Sequence, residues 1–261
     1  MSAETKGPRP VSPRLWEVDF LRGVAVVLMI FYHLVFDLYY FDVYSVRIYS
    51  GPWQFFARSI GSTFIFLLGV SLTLRYAALK PRLSHRQLFA KYLLRGAKLV
   101  GWGMVITAVT YFIVGRGFVV FGILHLLGLA TILAYPFLRS RWASLGAGIA
   151  VILVGRQLPE AVSHPWFIWL GVGEFGRYMV DWYPVFPWFG IALLGIFVGF
   201  TLYPEGRRGF VLPGDPQAAP VGGLSLLVRG LSFLGRHSLV IYLVHQPIML
   251  ALLYLMGIAS L

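Results

Sequence analysis

The stretch WEVDFLRGVAVVLMIFYHLVFDL, residues 16–38, indicates the fold class of this 261-residue chain. It is long enough to cross a bilayer as one helix, because a span needs about 20 apolar residues. Its ionisable side chains nevertheless include Asp19, Arg22, His33 and Asp37. At helical periodicity these four fall within a stripe about 60° wide. Since charge at membrane depth is costly, we expect this stripe to face protein or water rather than lipid.

The whole chain has the composition of a membrane protein. Hydrophobic residues make up 58% of it, charged residues only 12%, and its mean hydropathy is +0.76, whereas soluble domains average about 25% charged residues. Cysteine is absent, which excludes a disulfide framework and a thiolate nucleophile. We therefore predict an all-α, polytopic integral membrane bundle with about seven transmembrane helices, in residues 20–41, 53–79, 92–114, 119–138, 142–154 (a short stretch), 185–202 and 238–261.

The basic residues predict the topology. If the N-terminus is cytoplasmic, 17 of the 22 Lys and Arg residues fall on the inner side of these spans and 5 on the outer side. This satisfies the positive-inside rule, and an odd number of spans then puts the C-terminus outside. Residues 1–18 form a cytoplasmic segment and residues 19–261 a single transmembrane domain. The net charge of +12 lies in short loops, so we expect no nucleic-acid partner.

Three histidines are predicted to lie at a similar depth in the membrane. His33 comes eleven residues after Arg22, which is about 16 Å along a helix axis. His125 and His245 each follow an interfacial arginine by nine residues, or about 14 Å. Histidine titrates near neutral pH and can accept or donate a proton. We expect Asp37, one helical turn after His33, to orient its imidazole.

Plainer interpretations of the same residues stay open. A lone histidine on an apolar helix is usually a packing residue, and this is the stronger interpretation for His125. For His245 a structural hydrogen bond is as good an explanation as chemistry, and Asp37 could simply end the helix. A metal site built from these residues and His33 is a weaker alternative, because no short His-x-x-His spacing supports it. We expect no bound metal.

Four stretches carry a family resemblance. The stretches are residues 16–38, FGILHLLGLA (121–130), YPVFPWFGIALLGIFVG (183–199) and LGRHSLVIYLVHQPI (234–248). They resemble the DUF1624 group, which is related to the catalytic domain of heparan-alpha-glucosaminide N-acetyltransferase. The Asp-x-x-Arg element, followed eleven residues later by His, also resembles the acyltransferase-3 family, whose first-helix Arg and His are functional. These two map onto Arg22 and His33. In the lysosomal acetyltransferase of the first family, Asn stands at the position that corresponds to His33. The catalytic His of that enzyme lies later in its sequence, near the position that corresponds to Tyr44 of this chain.

The resemblance implies a membrane acyltransferase. Acyl-CoA, most simply acetyl-CoA, would dock from the cytoplasm, and an acceptor hydroxyl or amine on a carbohydrate or glycolipid would enter from outside. A prokaryotic plasma membrane is the expected location, with the lipid bilayer as a partner. The implied residues are His33, Asp37, His125 and His245 for catalysis, Arg22, Asp19 and Arg75 for acyl-CoA, and Glu174 and Asp181 for the acceptor.

Two other function classes fit the same sequence. A small proton-coupled transporter could use the His and Asp stripe as a relay, and a non-catalytic assembly protein would need no chemistry at all. Saturable CoA binding would separate the enzyme from both. The sequence leaves the oligomeric state open, a homodimer included.

Overall fold

The described part of the chain is entirely helical. In this computed structural model, residues 15–158, 165–172, 179–211 and 223–258 are described. Within them are eight α-helices and no strand, so the predicted all-α class is confirmed. The helices are α1 (Trp16–Tyr40), α2 (Gly51–Leu79), α3 (His85–Ile113), α4 (Ile123–Leu133), α5 (Arg141–Gln157), α6 (Val185–Leu202), α7 (Gly223–Arg236) and α8 (Ser238–Leu255).

Five of these helices, α1, α2, α3, α6 and α8, are long and apolar enough to cross a membrane. A multi-pass membrane protein is therefore confirmed, while the count of seven and the orientation of the termini stay predictions. The fourth predicted stretch, 119–138, is not one continuous helix. Its α-helix has 11 residues, or about 16 Å, and gives way to a 3₁₀ turn at Tyr135–Arg139. Pro136 lies in that turn, and proline cannot donate the next helical hydrogen bond.

Helix α7 was not predicted. It follows a Pro- and Gly-rich stretch of sequence, residues 205–223, and it crosses α1 at very short range. A Cβ atom at Gly23 would overlap the backbone of Leu231, and one at Gly235 would overlap the backbone of Asp19. Small residues allow such close approach between helices in lipid. Because α8 begins only two residues after α7, this crossing helps to bring α8 beside α1.

The main core lies between α2, α4 and α6. Ile65, Leu126 and Leu193 are fully buried in it. Helices α2 and α6 also approach through glycine, since a Cβ atom at Gly69 would meet the Ala192 backbone. This core fixes the bundle against which the pair of α1 and α8 is placed.

Candidate functional site

Two histidines meet between α1 and α8. The ring centroids of His33 and His245 are 4.8 Å apart, with an interplanar angle of 81°. Each ring uses its Nδ1 atom within its own helix: His33 donates to the Met29 carbonyl at 2.9 Å, and His245 donates to the Tyr242 carbonyl at 2.8 Å. A carbonyl can only accept, so Nδ1 carries the proton, and the Nε2 atom of each neutral ring keeps its lone pair. Of the three histidines predicted to lie at a similar depth, these two are in contact.

The predicted hydrogen bond between Asp37 and His33 is wrong. The His33 Nδ1 atom bonds to Met29 instead, because the carbonyl four residues earlier lies directly behind the ring on the helix. Asp37 is only 2% exposed, and its Oδ1 atom accepts a 2.5 Å hydrogen bond from Gln246 Nε2 on α8. Gln246 was missed by the sequence analysis. The available signal was a second polar residue directly after His245 in an apolar helix.

We call His33, Asp37, His245 and Gln246 the α1–α8 centre. Three acceptor atoms of this centre have no hydrogen-bond partner among the described residues. Asp37 Oδ2, Gln246 Oε1 and His245 Nε2 are buried and lack a hydrogen bond to any described residue; the indole N–H of Trp16, a donor, is also buried and unpaired, at the other end of α1. Buried polar groups are nearly always paired, because leaving one unpaired costs about 1–3 kcal/mol. The centre therefore keeps an unused capacity to accept hydrogen bonds.

His125 and Asp181 form a different arrangement, which we call the α4 cap. His125 Nδ1 accepts from the Gly122 backbone N–H at 3.2 Å, and its Nε2 lies 3.5 Å from Thr107 Oγ1. Asp181 Oδ2 accepts from the Ile123 backbone N–H at 3.0 Å. Backbone donors at a helix N-terminus need such acceptors. Both side chains thus serve the start of α4, and this is the role that the hydrogen bonds give His125.

Asp181 is also linked to α8, since its Oδ2 atom lies 3.4 Å from the Tyr242 hydroxyl, which donates to it. Burial raises the pKa of the Asp181 carboxyl from 3.8 to about 6, although its two hydrogen bonds act in the opposite direction. Glu174, the other predicted acceptor-binding residue, lies outside the described residues. Among the residues that are described, no three His, Cys, Asp or Glu side chains are placed to hold a metal ion, so the alternative four-residue ligand set is not assembled.

A basic cavity lies near the start of α1. Its volume is about 290 Å³, and its polar lining residues are Asp19, Arg22, Ser71 and Arg236. The guanidinium of Arg22 is firmly held: it donates to Asp19 Oδ1 and to Ser71 Oγ, both at 2.8 Å, and more weakly to the last turn of α7 at 3.4 Å. Arg22 and Asp19 were predicted from the sequence as acyl-CoA-binding residues, and Arg236 was not.

Arg75, the third predicted acyl-CoA residue, is not one of the residues that line this cavity. It lies near Arg95, whose charge is repelled by the charges of both Arg75 and Arg22. These three arginines therefore form one positively charged region that continues from the cavity toward α3. Such a region favours an anionic group such as a phosphate.

The fold and the site define a class: a multi-pass helical membrane protein with a histidine pair in contact between its first and last described spans and a basic cavity at the start of the first. A family model described as "Heparan-alpha-glucosaminide N-acetyltransferase, catalytic" matches residues 14–247. The chain belongs to this family, which is of the membrane N-acetyltransferase type and whose name indicates a transferase. A search of curated proteins gives no match.

Proposed function

We propose that this protein transfers an acetyl group from cytoplasmic acetyl-CoA to a hydroxyl or amine of a sugar or glycolipid. The observation that carries the proposal is the His33–His245 pair, in which both Nδ1 protons are fixed by helix carbonyls and both Nε2 lone pairs stay available. A base that is held in one tautomer and one orientation is what general-base catalysis requires. Family membership supports the same reaction class.

In this mechanism His33 Nε2 takes the proton of the acceptor O–H or N–H as that oxygen or nitrogen attacks the thioester carbonyl. The new bond forms at the carbonyl carbon, the C–S bond breaks, and the CoA sulfur leaves as a thiolate that the imidazolium can protonate. His245 lies against the His33 ring and can share this proton. A covalent acetyl-His33 intermediate is the alternative sequence of steps.

The basic cavity supports a donor site at the start of α1. Arg22 lines it and is eleven residues from His33, which corresponds to about 16 Å along α1. Acetyl-CoA carries its phosphates at one end and its thioester at the end of a long arm, so it suits two sites separated in this way. Asp19 holds Arg22 in place, and Arg75 adds charge nearby. The functional roles of Arg22 and His33 also rest on the resemblance to acyltransferase-3 proteins.

The acceptor would approach from the opposite side of the membrane. Asp181, which the predicted topology assigns to that side, accepts a hydrogen bond from the Tyr242 hydroxyl, and the Tyr242 ring lies 5.8 Å from the His245 ring. Together with Glu174 it remains our proposed acceptor contact.

The test uses purified protein in nanodiscs with labelled acetyl-CoA, and it measures CoA binding, CoA release and acetyl transfer. We expect His33→Gln to bind CoA normally and to lose about 10²-fold or more of its CoA release. His237→Gln is the matched control, because His237 makes the same Nδ1 bond to a carbonyl four residues earlier but is exposed. Failure of folded wild type to bind CoA, or full activity of His33→Gln, would refute the proposal.

A proton-coupled transporter is the second candidate, favoured by one observation. A buried carboxylate with an unpaired oxygen beside two imidazoles also suits a proton relay. Solute uptake that depends on a proton gradient, in protein that does not bind CoA, would support this function instead.

A further inference from the structure

The hydrogen bond between Asp37 and Gln246 joins α1 to α8 beside the histidine pair, and the reaction described above gives Gln246 no role. We propose that Asp37 and Gln246 form the pocket that binds the reactive O–H or N–H group of the acceptor, with Gln246 positioning the Asp37 carboxylate. This inference rests on the proposed function. It assigns Asp37 to the acceptor rather than to the orientation of His33.

The unpaired atoms determine what this pocket can bind. Asp37 Oδ2, Gln246 Oε1 and His245 Nε2 are all acceptors, and all three are buried without a partner. An occupant must therefore supply O–H or N–H donors, since only donors can relieve the cost of burying these atoms. A group that offers acceptors alone, such as an ether or a carboxylate, would leave the three atoms unpaired or be repelled by Asp37.

Gln246 determines which oxygen of Asp37 is available. Its amide N–H occupies Oδ1, and this bond across the two helices directs the carboxylate so that Oδ2 stays free. The amide oxygen of Gln246 is itself unpaired, so one side chain both positions Asp37 and adds a second acceptor. Since His245 immediately precedes Gln246 and its ring contacts His33, a group bound here lies next to the proposed base.

The test compares Asp37→Asn with Asp42→Asn in nanodiscs and measures sugar binding and thermal unfolding. The probes are glucosamine, which carries both O–H and N–H donors, and fully O-methylated glucose, which carries none. Asn at residue 37 can still accept from Gln246, but it replaces the free acceptor by an N–H donor that can pair with the neighbouring unpaired atoms. We expect an unfolding temperature equal to or above that of wild type, and glucosamine binding at least about tenfold weaker.

Asp42→Asn is the matched control, because Asp42 is exposed and has a left-handed φ of 57° that asparagine tolerates. It should bind glucosamine like wild type. Gln246→Met provides a second test in case Asp37→Asn does not fold: glucosamine binding should weaken while the affinity for acetyl-CoA stays unchanged. The methylated sugar should not bind to any of these proteins.

Three results would overturn the inference: wild type that does not bind glucosamine, Asp37→Asn that binds it unchanged, or equal binding of the methylated sugar. If wild type also fails to bind acetyl-CoA, the proposed function is refuted together with the inference. If acetyl-CoA binds and is cleaved but glucosamine does not bind, only the inference fails.

Discussion

The α1–α8 centre and the α4 cap contain the same residue types in similarly apolar surroundings, yet they differ in how their bonding capacity is used. In the α4 cap, His125 and Asp181 accept from backbone N–H groups at the start of α4. In the α1–α8 centre, acceptor atoms of Asp37 and His245 are buried with no partner. Residue type and predicted depth in the membrane do not distinguish the histidines of the two groups, whereas their hydrogen-bond partners do. We infer that His125 serves the fold, that Asp181 combines this role with the proposed contact to the acceptor, and that the α1–α8 centre is prepared for a ligand.

The largest expected effect is on activity, at His245. His245→Leu should reduce acetyl transfer about 10²-fold or more, because it removes one of the two adjacent bases. The variant should unfold at the same temperature as wild type or higher, since it replaces a buried, unpaired nitrogen by apolar atoms. Labelled transfer and thermal unfolding, measured on the same preparation, check both parts.

His237→Leu is the control for this variant, since it removes an exposed histidine one residue before α8 and should change neither property. A His245→Leu protein that is strongly destabilised, or one that keeps its activity, would remove the distinction between the two histidine groups.

The main features of the fold could be predicted from the sequence. Long apolar stretches gave α1, α2, α3, α6 and α8, because a bilayer imposes a minimum length on a spanning helix. Two elements could not be found in this way. Pro136 limits α4 although its neighbours are apolar, and α7 depends on a close crossing of α1 at Gly23 and Gly235 that hydropathy does not report.

The site could be predicted in part. The position of His33 on a polar helix stripe predicted that its side chain faces protein or water. Its contact with His245 agrees with the similar depth predicted for both, although the same depth was predicted for His125. The hydrogen-bond partner of Asp37 could not be predicted, because the sequence is equally compatible with a partner four residues away on α1 and with one on another helix. Only the packing of α8 against α1 determines that Gln246 takes that place.

The next effect concerns the pH dependence of stability at the α4 cap. Burial raises the pKa of Asp181 to about 6 from 3.8, so the folded state favours its protonated form. The resulting stabilisation is complete below pH 3.8 and is lost as the pH rises through about 6. It amounts to at most about 3 kcal/mol. Wild type should therefore become less stable toward about pH 8, as measured by thermal unfolding in detergent.

Asp181→Asn is the matched variant, since asparagine keeps an acceptor for the Ile123 N–H but does not titrate. Its unfolding temperature should change less between about pH 5 and pH 8 than that of wild type. Identical pH profiles for the two proteins would mean that the carboxyl of Asp181 titrates in the folded state as it does in water.

The smallest expected change in stability is at His125. The same substitution tests most directly whether the α4 cap and the α1–α8 centre have different roles. His125→Ala removes the acceptor for the Gly122 N–H at the start of α4, so it should cost about 1 kcal/mol of stability, as the loss of an N-terminal cap does. Acetyl transfer should persist, because His125 belongs to the α4 cap and not to the α1–α8 centre. His125→Gln should recover most of the lost stability, since glutamine at this third helical position can accept the same N–H bond. If His125→Gln instead recovers stability but lacks acetyl transfer, then His125 acts in the chemistry, and satisfied hydrogen bonds do not mark a histidine as structural in this protein.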